Sequence, residues 1–301
     1  MADAASARVD VVVVSYNSRD RLRDCVAGLV DQPGLRVLVV DNASPDRSPE
    51  AVSDLPVTLI ESPVNGGFAH GCNLGWRAGS APAVLLLNPD ARIEPSAVRV
   101  LADTLDGDPR LGAVGPLILD GDGSLDLSQR RFPRLRSTYA QALFLHRLAP
   151  SARWTDELVR DPAVYDRPGR PDWISGACLM IRRSALERLG GLDDGFFLYC
   201  EDLDLCRRLR AAGMEVGYQP AARCGHEGGA SAPRPALFPV LAESRVRYAR
   251  KHATPLVALA ERVGVGLGAL THAVVSSGGW AGRAGHLRAL GRVVAGPRGR
   301  R

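Results

Sequence analysis

The chain has 301 residues, enough for one large domain or two modest ones. Its composition is 46% hydrophobic and 24% charged with 32 Gly and 21 Pro, which excludes collagen-like, disordered and coiled-coil classes. The net charge of +5 belongs to the end of the chain, because no acid follows Glu261 while Arg262, Arg283, Arg288, Arg292, Arg298, Arg300 and Arg301 do.

The first half alternates strand and helix signals. Residues 10–16 hold four consecutive valines, the signature of a buried parallel strand. Leu22, Val26 and Leu29 recur at helical spacing over 19–30. Strands are predicted at 36–40, 56–61, 83–87 and 111–119, and helices at 68–78 and 95–105, the latter with Pro95 in its first turn. This rhythm predicts an α/β fold with a doubly wound, mostly parallel sheet. Residues 120–172 lack periodicity and read as a long loop with one helix near 138–148. A strand follows at 173–182, then helices at 184–189 and 202–212, with Gly213 as a C-terminal cap. A short strand is expected at 215–218, and the chain reads as helical from Phe238 onward. No internal repeat or low-complexity block is present.

The cysteines are Cys25, Cys72, Cys178, Cys200, Cys206 and Cys224. None forms a C-x-x-C pair, so they are expected as reduced core thiols, as in a cytosolic protein. Residues 1–9 are polar and carry no secretory signal. The apolar run 256–275 is interrupted by Glu261, Arg262 and His272, and no transmembrane segment is expected.

Ligands of open parallel sheets sit outside the carboxyl ends of the strands. Here those ends carry Ser15-Tyr16-Asn17, Asp41-Asn42, Asn65-Gly66-Gly67 and Asn88-Pro89-Asp90. Each alone is an ordinary turn former, but four in series define one crevice. No G-x-G-x-x-G follows the first strand and no P-loop lysine is present, which argues against a nicotinamide or Walker site. Asp41 is placed to meet a base or ribose, and Asp90 to offer oxygen to a divalent cation on a diphosphate. Glu201, Asp202 and Asp204 crowd the start of a helix, where its dipole alone would suit them, and one of them is a candidate general base. His226 lies among glycines after a short strand, a place for close approach to a ligand.

The series VVVVSYNS, VVDNAS, NGGFAHGCNLG, LLLNPDA, WISGACLMIRR, FLYCEDLDLCRRLRAAG and GHEGGAS resembles the family 2 glycosyltransferases of GT-A fold. Within them it is most similar to bacterial rhamnosyltransferases of cell-envelope polysaccharide assembly, including actinobacterial enzymes acting on N-acetylglucosaminyl-diphosphoryl polyprenol. The resemblance covers about residues 9–231. It implies a glycosyltransferase domain over 1–235, with a nucleotide-sugar half at 9–119, an acceptor half at 173–231, and a helical basic extension at 236–301.

The resemblance also implies roles. Ser15, Tyr16, Asn17, Asp41, Asn65, Gly66 and Asn88 would hold the nucleotide sugar. Asp90 and His226 would hold Mg²⁺ or Mn²⁺, although Asn-Pro-Asp leaves one carboxylate where the family has D-x-D. Asp202 would be the catalytic base, with Glu201 the neighbour that competes for the role. Trp173, Ser175 and Gly176 would lie near the acceptor. The implied reaction is inverting transfer of L-rhamnose from dTDP-β-L-rhamnose to a polyprenyl-diphosphate-linked sugar, on the cytoplasmic side of the membrane. A galactofuranosyl, glucosyl or mannosyl donor is the alternative on the same scaffold.

Arg288 and Arg292 lie four apart opposite Leu287, Leu290 and Val294, so 283–301 reads as a basic helix able to touch a membrane surface. Three other classes fit less well. A non-catalytic binding protein has no use for Asp202 beside Asp90 and His226. A nucleotidyltransferase needs a Gly-rich, Arg-containing loop where Ser15-Tyr16-Asn17-Ser18 stands. A nucleic-acid partner is not expected, because the body is acidic, aromatics are only 5% and no nucleic-acid module is present.

Overall fold

A computed structural model describes residues 7–150, 152–228, 233–276 and 279–296. Residues 1–6, the last three of the GHEGGAS run and tail residues 297–301 lie outside the described residues.

The valine run forms β1 (Val9–Ser15), flanked in parallel by β2 (Leu35–Asp41) and β4 (Ala83–Leu87). β3 (Thr58–Glu61) extends the sheet beyond β2, also in parallel. Val9, Val11 and Val13 pack on one face with Leu22 and Val26 of α1 (Arg19–Val26) and Leu101 of α3 (Pro95–Gly107). Val12 and Val14 pack on the other with Cys72 and Trp76 of α2 (Phe68–Ala78). Both faces are covered, so a continuous apolar run is the stable sequence for this strand. α1 stops at Val26, four residues short of the expected end, and 27–30 form turns around Gly28, a weak helix former.

The sheet is mostly parallel, as expected, and its second half is mixed. Eight strands run β3-β2-β1-β4-β9-β6-β10-β5. β9 (Cys178–Arg182) is antiparallel to both β4 and β6 (Leu111–Leu119). β10 (Glu215–His226) is parallel to β6, and β5 (Ala91–Ile93), which the sequence does not announce, pairs antiparallel with β10. β10 runs eight residues past the expected end at Tyr218, through a register shift between Gln219 and Arg223. That extension carries His226 alongside Ala91.

The expected strand over 173–182 is two. β8 (Trp173–Ile174) pairs with β7 (Gln129–Arg130) in a separate small sheet, and β9 starts only at Cys178. The break has a local cause: the Ser175 N–H donates to the Ser128 carbonyl and the Gly176 N–H to Asp202, so neither serves the main sheet. Residues 120–172 are likewise more ordered than expected. The single helix foreseen there is α4 (Leu135–Ala142) and α5 (Leu145–Leu148), parted at Phe144 with φ of 57°.

After α6 (Arg183–Leu189) and α7 (Glu201–Ala211), three helices close the chain: α8 (Arg234–His252), α9 (Pro255–Val275) and α10 (Gly279–Ala295). α8 is fastened to α7 and the segment that leads into it. Ser244 Oγ donates to the Leu198 carbonyl at 2.8 Å, and Lys251 and His252 both reach Asp204 at 2.7 Å. By length and composition α9 is long and apolar enough to cross a membrane, charges notwithstanding. In the fold its Glu261 is buried, accepting a 2.7 Å bond from Thr138 of α4. The six cysteines are free and buried, as expected.

Candidate active site

Parallel strands bring their carboxyl ends together, and Ser15 and Asp41 are register partners there. Both are buried. Asp41 Oδ2 accepts the Ser44 N–H at 3.1 Å, but Asp41 Oδ1 and Ser15 Oγ have no hydrogen-bond partner. Orphaned buried oxygens are rare and costly, so two side by side mark a place for a ligand's donors and acceptors.

Asn42, next in sequence, organises the neighbouring loop. Its Nδ2 donates to Asn65 Oδ1 at 3.0 Å and to the Gly67 carbonyl at 3.1 Å, and its Oδ1 accepts the Gly66 N–H at 3.0 Å. Gly67, with φ of 88°, lies where a Cβ would sit 2.2 Å from the Phe197 carbonyl oxygen, so only glycine allows this approach. The 65–67 loop thus packs against the segment that leads into α7. Tyr16 and Asn17 form the turn after β1, Asn17 exposed with φ of 53°, and the Tyr16 N–H bonds only locally to Ser18 Oγ.

A second group forms beyond β4. Asn88 Nδ2 lies 3.3 Å from His226 Nε2, and the same nitrogen is 3.3 Å from Asp90 Oδ1. Asp126 Oδ2 lies 3.9 Å from His226 Nδ1. Desolvation works against the imidazolium, yet Asp126 and Asp90 outweigh it and raise His226 to about 10. For Asp90, burial works to raise the carboxyl, and His226 more than reverses this and lowers it. No group of three or more His, Cys, Asp or Glu side chains is placed to hold a metal ion among the described residues.

The third group meets the second through the backbone. The Asn88 N–H donates to the Ala177 carbonyl at 2.9 Å, and the preceding residue, Gly176, donates its N–H to Asp202 Oδ2 at 2.8 Å. Asp202 Oδ1 takes the Leu203 N–H at 2.7 Å. Burial raises the Asp202 pKa, opposed by these two amides and by the nearby Arg130. Arg130 lies over the Trp173 ring, 5.2 Å from its centroid, and lines a cavity of about 370 Å³ bordered by α4, α8, α9 and α10. Trp173 is buried and donates its Nε1–H to the Arg131 carbonyl at 3.0 Å.

Glu201 and Asp202, consecutive on a helix, face different ways. Glu201 is buried within electrostatic reach of the Cys72 thiol on α2, its Oε2 has no partner, and burial followed by Asp202 pushes its pKa well up. Asp204 is structural. It is fully buried and bonded to Arg208, Lys251 and His252, each at 2.7 Å.

The structure therefore joins Ser15, Asp41, Asn65 and Gly66 in one cluster, and Asn88, Asp90, His226, Ser175, Gly176 and Asp202 in another. Trp173 borders the second through Arg130. Asn42, Asp126 and Arg130 were missed. Asn42 was visible at a strand end, but Asp126 and Arg130 lie in the stretch without periodicity and carried no signal.

Residues 10–190 match the family described as glycosyl transferase family 2. The chain belongs to this family. It is 34% identical over 254 residues to the N-acetylglucosaminyl-diphospho-decaprenol L-rhamnosyltransferase of Mycobacterium tuberculosis, covering 79% of this chain and 82% of that protein. It is 26% identical to rhamnosyltransferase WbbL of Escherichia coli, over 72% of this chain and 83% of that one. Among solved structures, the mannosyltransferase PcManGT of Pyrobaculum calidifontis, in complex with GDP-Man and Mn²⁺, aligns with a TM-score of 0.57 at 19% identity, over 97% of this chain and 88% of that one. GalNAc-T7 with UDP, GalNAc and Mn²⁺ aligns at 0.60 and 14% identity, over 82% of this chain but 48% of that one. The fold of this glycosyltransferase is accordingly GT-A.

Proposed function

We propose that this glycosyltransferase moves L-rhamnose from dTDP-β-L-rhamnose to the sugar of an N-acetylglucosaminyl-diphosphoryl-polyprenol acceptor, with inversion. The similarity to the mycobacterial enzyme supports the substrates. The observation that carries the chemistry is the short backbone path, Asn88–Ala177–Gly176–Asp202, that sets a raised-pKa carboxylate beside the Asp90–His226 pair.

In this reaction Asp202 takes the proton of the acceptor hydroxyl. The freed oxygen attacks C1 of the donor sugar, the bond from C1 to the diphosphate breaks, and the nucleoside diphosphate leaves from the opposite face. Gly176 and Leu203 keep the carboxylate oriented with a lone pair free. Ser15 and Asp41 hold the nucleoside with their unpartnered oxygens, while the loop after β1, including Tyr16 and Asn17, and the Asn65–Gly66 loop flank it.

One carboxylate and one imidazole, 3.3 Å apart, offer an oxygen and a nitrogen donor that fit a divalent cation. Asp90 and His226 would hold this Mg²⁺ or Mn²⁺, whose charge stabilises the departing diphosphate. The acceptor approaches past Ser175 and Arg130 on Trp173, beside the cavity of about 370 Å³. Residues 1–235 form the catalytic unit and 236–301 the extension. A lipid-linked acceptor calls for the enzyme to work at the inner face of the plasma membrane. No nucleic acid takes part. Transfer assays with a panel of nucleotide sugars test the proposal, and product from a mannosyl, glucosyl or galactofuranosyl donor in place of rhamnose would keep the mechanism and change the sugar.

A further inference from the structure

α9 is built inside out. Its buried face is Ala258, Glu261, Gly264, Gly266, Ala269 and Ala273, all small except the acid that Thr138 holds. A Cβ on Gly264 would meet Thr138 at 2.9 Å, so the small residues let α4 come close. The large side chains face outward. Leu256, Leu259, Val263, Leu270 and Val274 are all exposed, Leu256 at 81% and Val274 at 70%. Their spacings of three, four, seven and four residues put them in one stripe along the helix. A helix on a water-soluble surface is patterned the other way, with its large apolar residues inward. Small residues inside and large aliphatics outside is the pattern of helices that face lipid.

α10 repeats it. Gly282, Gly285, Ala289 and Val293 are buried, while Trp280, Leu287 and Val294, seven residues apart, are exposed, Trp280 at 81%. The structure also corrects the amphipathic reading of this segment. Arg292 turns toward Glu243 at 3.9 Å, Val293 faces inward, and among the described residues of α10 the exposed basic ones are Arg283 and Arg288.

We propose that the outer faces of α9 and α10 seat the protein flat on an anionic lipid surface, with the stripe from Leu256 to Val274 and Trp280, Leu287 and Val294 entering the acyl boundary. The charges favour lipid over a second copy of the chain. The sequence from Arg262 onward holds arginines and no acid, so two such faces would set like charges together, whereas phosphate headgroups neutralise them. Trp280, an apolar ring with one polar N–H, suits the headgroup boundary. α9 spans about 30 Å, which presents a long contact if it lies in the surface plane. The buried Glu261 and the packing of α9 on α4 and α10 keep it on the surface rather than across it. The inference deepens the proposed function, which needs a lipid-linked acceptor, but lipid binding is measured without any sugar transfer.

The test is flotation of the full-length protein with phosphatidylglycerol–phosphatidylcholine vesicles, with Val263→Glu/Leu270→Glu as the apolar variant and Arg283→Glu/Arg288→Glu as the charge variant. Unchanged melting temperature and donor binding show that each variant is folded. Wild type should float with anionic vesicles, the apolar variant at least ten-fold less, and the charge variant less at low salt than at high salt relative to wild type. The apolar variant should still glycosylate a water-soluble acceptor that lacks the prenyl chain. Equal flotation of wild type and the apolar variant would overturn the inference. So would a concentration-dependent dimer of wild type, without vesicle binding, that the apolar variant abolishes. Absence of transfer to any acceptor, with flotation intact, would overturn the proposed function and leave the lipid face standing.

Discussion

The Gly176 amide donates to Asp202 Oδ2 at 2.8 Å, and a Cβ at residue 176 would sit 3.1 Å from the Asp202 Cβ. The carboxylate proposed as the base is held by a residue with no side chain, on a segment that leaves the sheet to reach it. Gly176→Ala should therefore push the carboxylate from its place. We expect kcat to fall about 10²-fold, the scale of a roughly 1 Å misplacement, with donor affinity unchanged. Steady-state kinetics and calorimetric donor titration check this.

The pH dependence follows from the same pair of acids. Burial raises Asp202, and burial and then Asp202 raise Glu201. The base works only when deprotonated, so kcat should rise with pH through a midpoint above the ordinary aspartate value of about 3.9. Glu201, raised further by burial and by the charge of Asp202, ionises after it, so Glu201→Gln should leave that midpoint in place, with turnover retained. Stability runs the other way. A carboxyl whose folded pKa is raised contributes stability below its unfolded value, and that contribution is lost as pH rises through the folded value. The melting temperature of Glu201→Gln should thus gain on wild type as pH rises from about 4 to about 8.

Asp204 behaves oppositely. Burial opposes its ionisation, but His252, Arg208 and Lys251 outweigh this and lower it to about 2. Its contribution is present above the unfolded aspartate value and is lost as pH falls toward about 2. Asp204→Ala removes the buried partner shared by Arg208, Lys251 and His252 and should cost about 3–5 kcal/mol at pH 7, the scale for breaking a buried ion pair. Chemical denaturation reads the loss, and the difference from wild type should shrink in acid.

Asn42 ties the Asn65–Gly67 loop with three hydrogen bonds. Asn42→Ala removes these three hydrogen bonds, each worth about 1 kcal/mol. The donor KM should rise about ten-fold with kcat changed less. An equal effect on acceptor KM would place the loop elsewhere.

Chelation should abolish transfer, and Mn²⁺ or Mg²⁺ should restore it. Asp90→Ala and His226→Ala should each weaken binding of the donor diphosphate and lose the response to added metal. Calorimetry with and without the ion measures both.

β1, β2 and β4 of the parallel half were legible because they are largely buried and read as apolar runs. The strand ends were legible because polar residues follow abruptly, as Asn88 follows Leu87. β9 was not readable as antiparallel, since a buried strand has the same pattern in either direction. The break at Ser175–Ala177 depends on bonds to Ser128 and Asp202, both distant in sequence, and no local propensity records it. Arg130 and Asp126 reach the site from a segment whose order comes from packing on other elements. α9 read as an apolar run broken by charges, a pattern that does not record which of its apolar side chains the fold turns outward.

The most direct measurement is transfer by the purified protein with Mg²⁺, pairing a panel of nucleotide sugars with a synthetic N-acetylglucosaminyl-diphosphoryl lipid, for wild type and Asp202→Asn. Product should form from dTDP-β-L-rhamnose, and the variant should lose about 10²–10⁴ in rate while binding the donor as wild type does. Normal turnover in Asp202→Asn, or weakened donor binding with turnover intact, would contradict the assignment of Asp202 as the base.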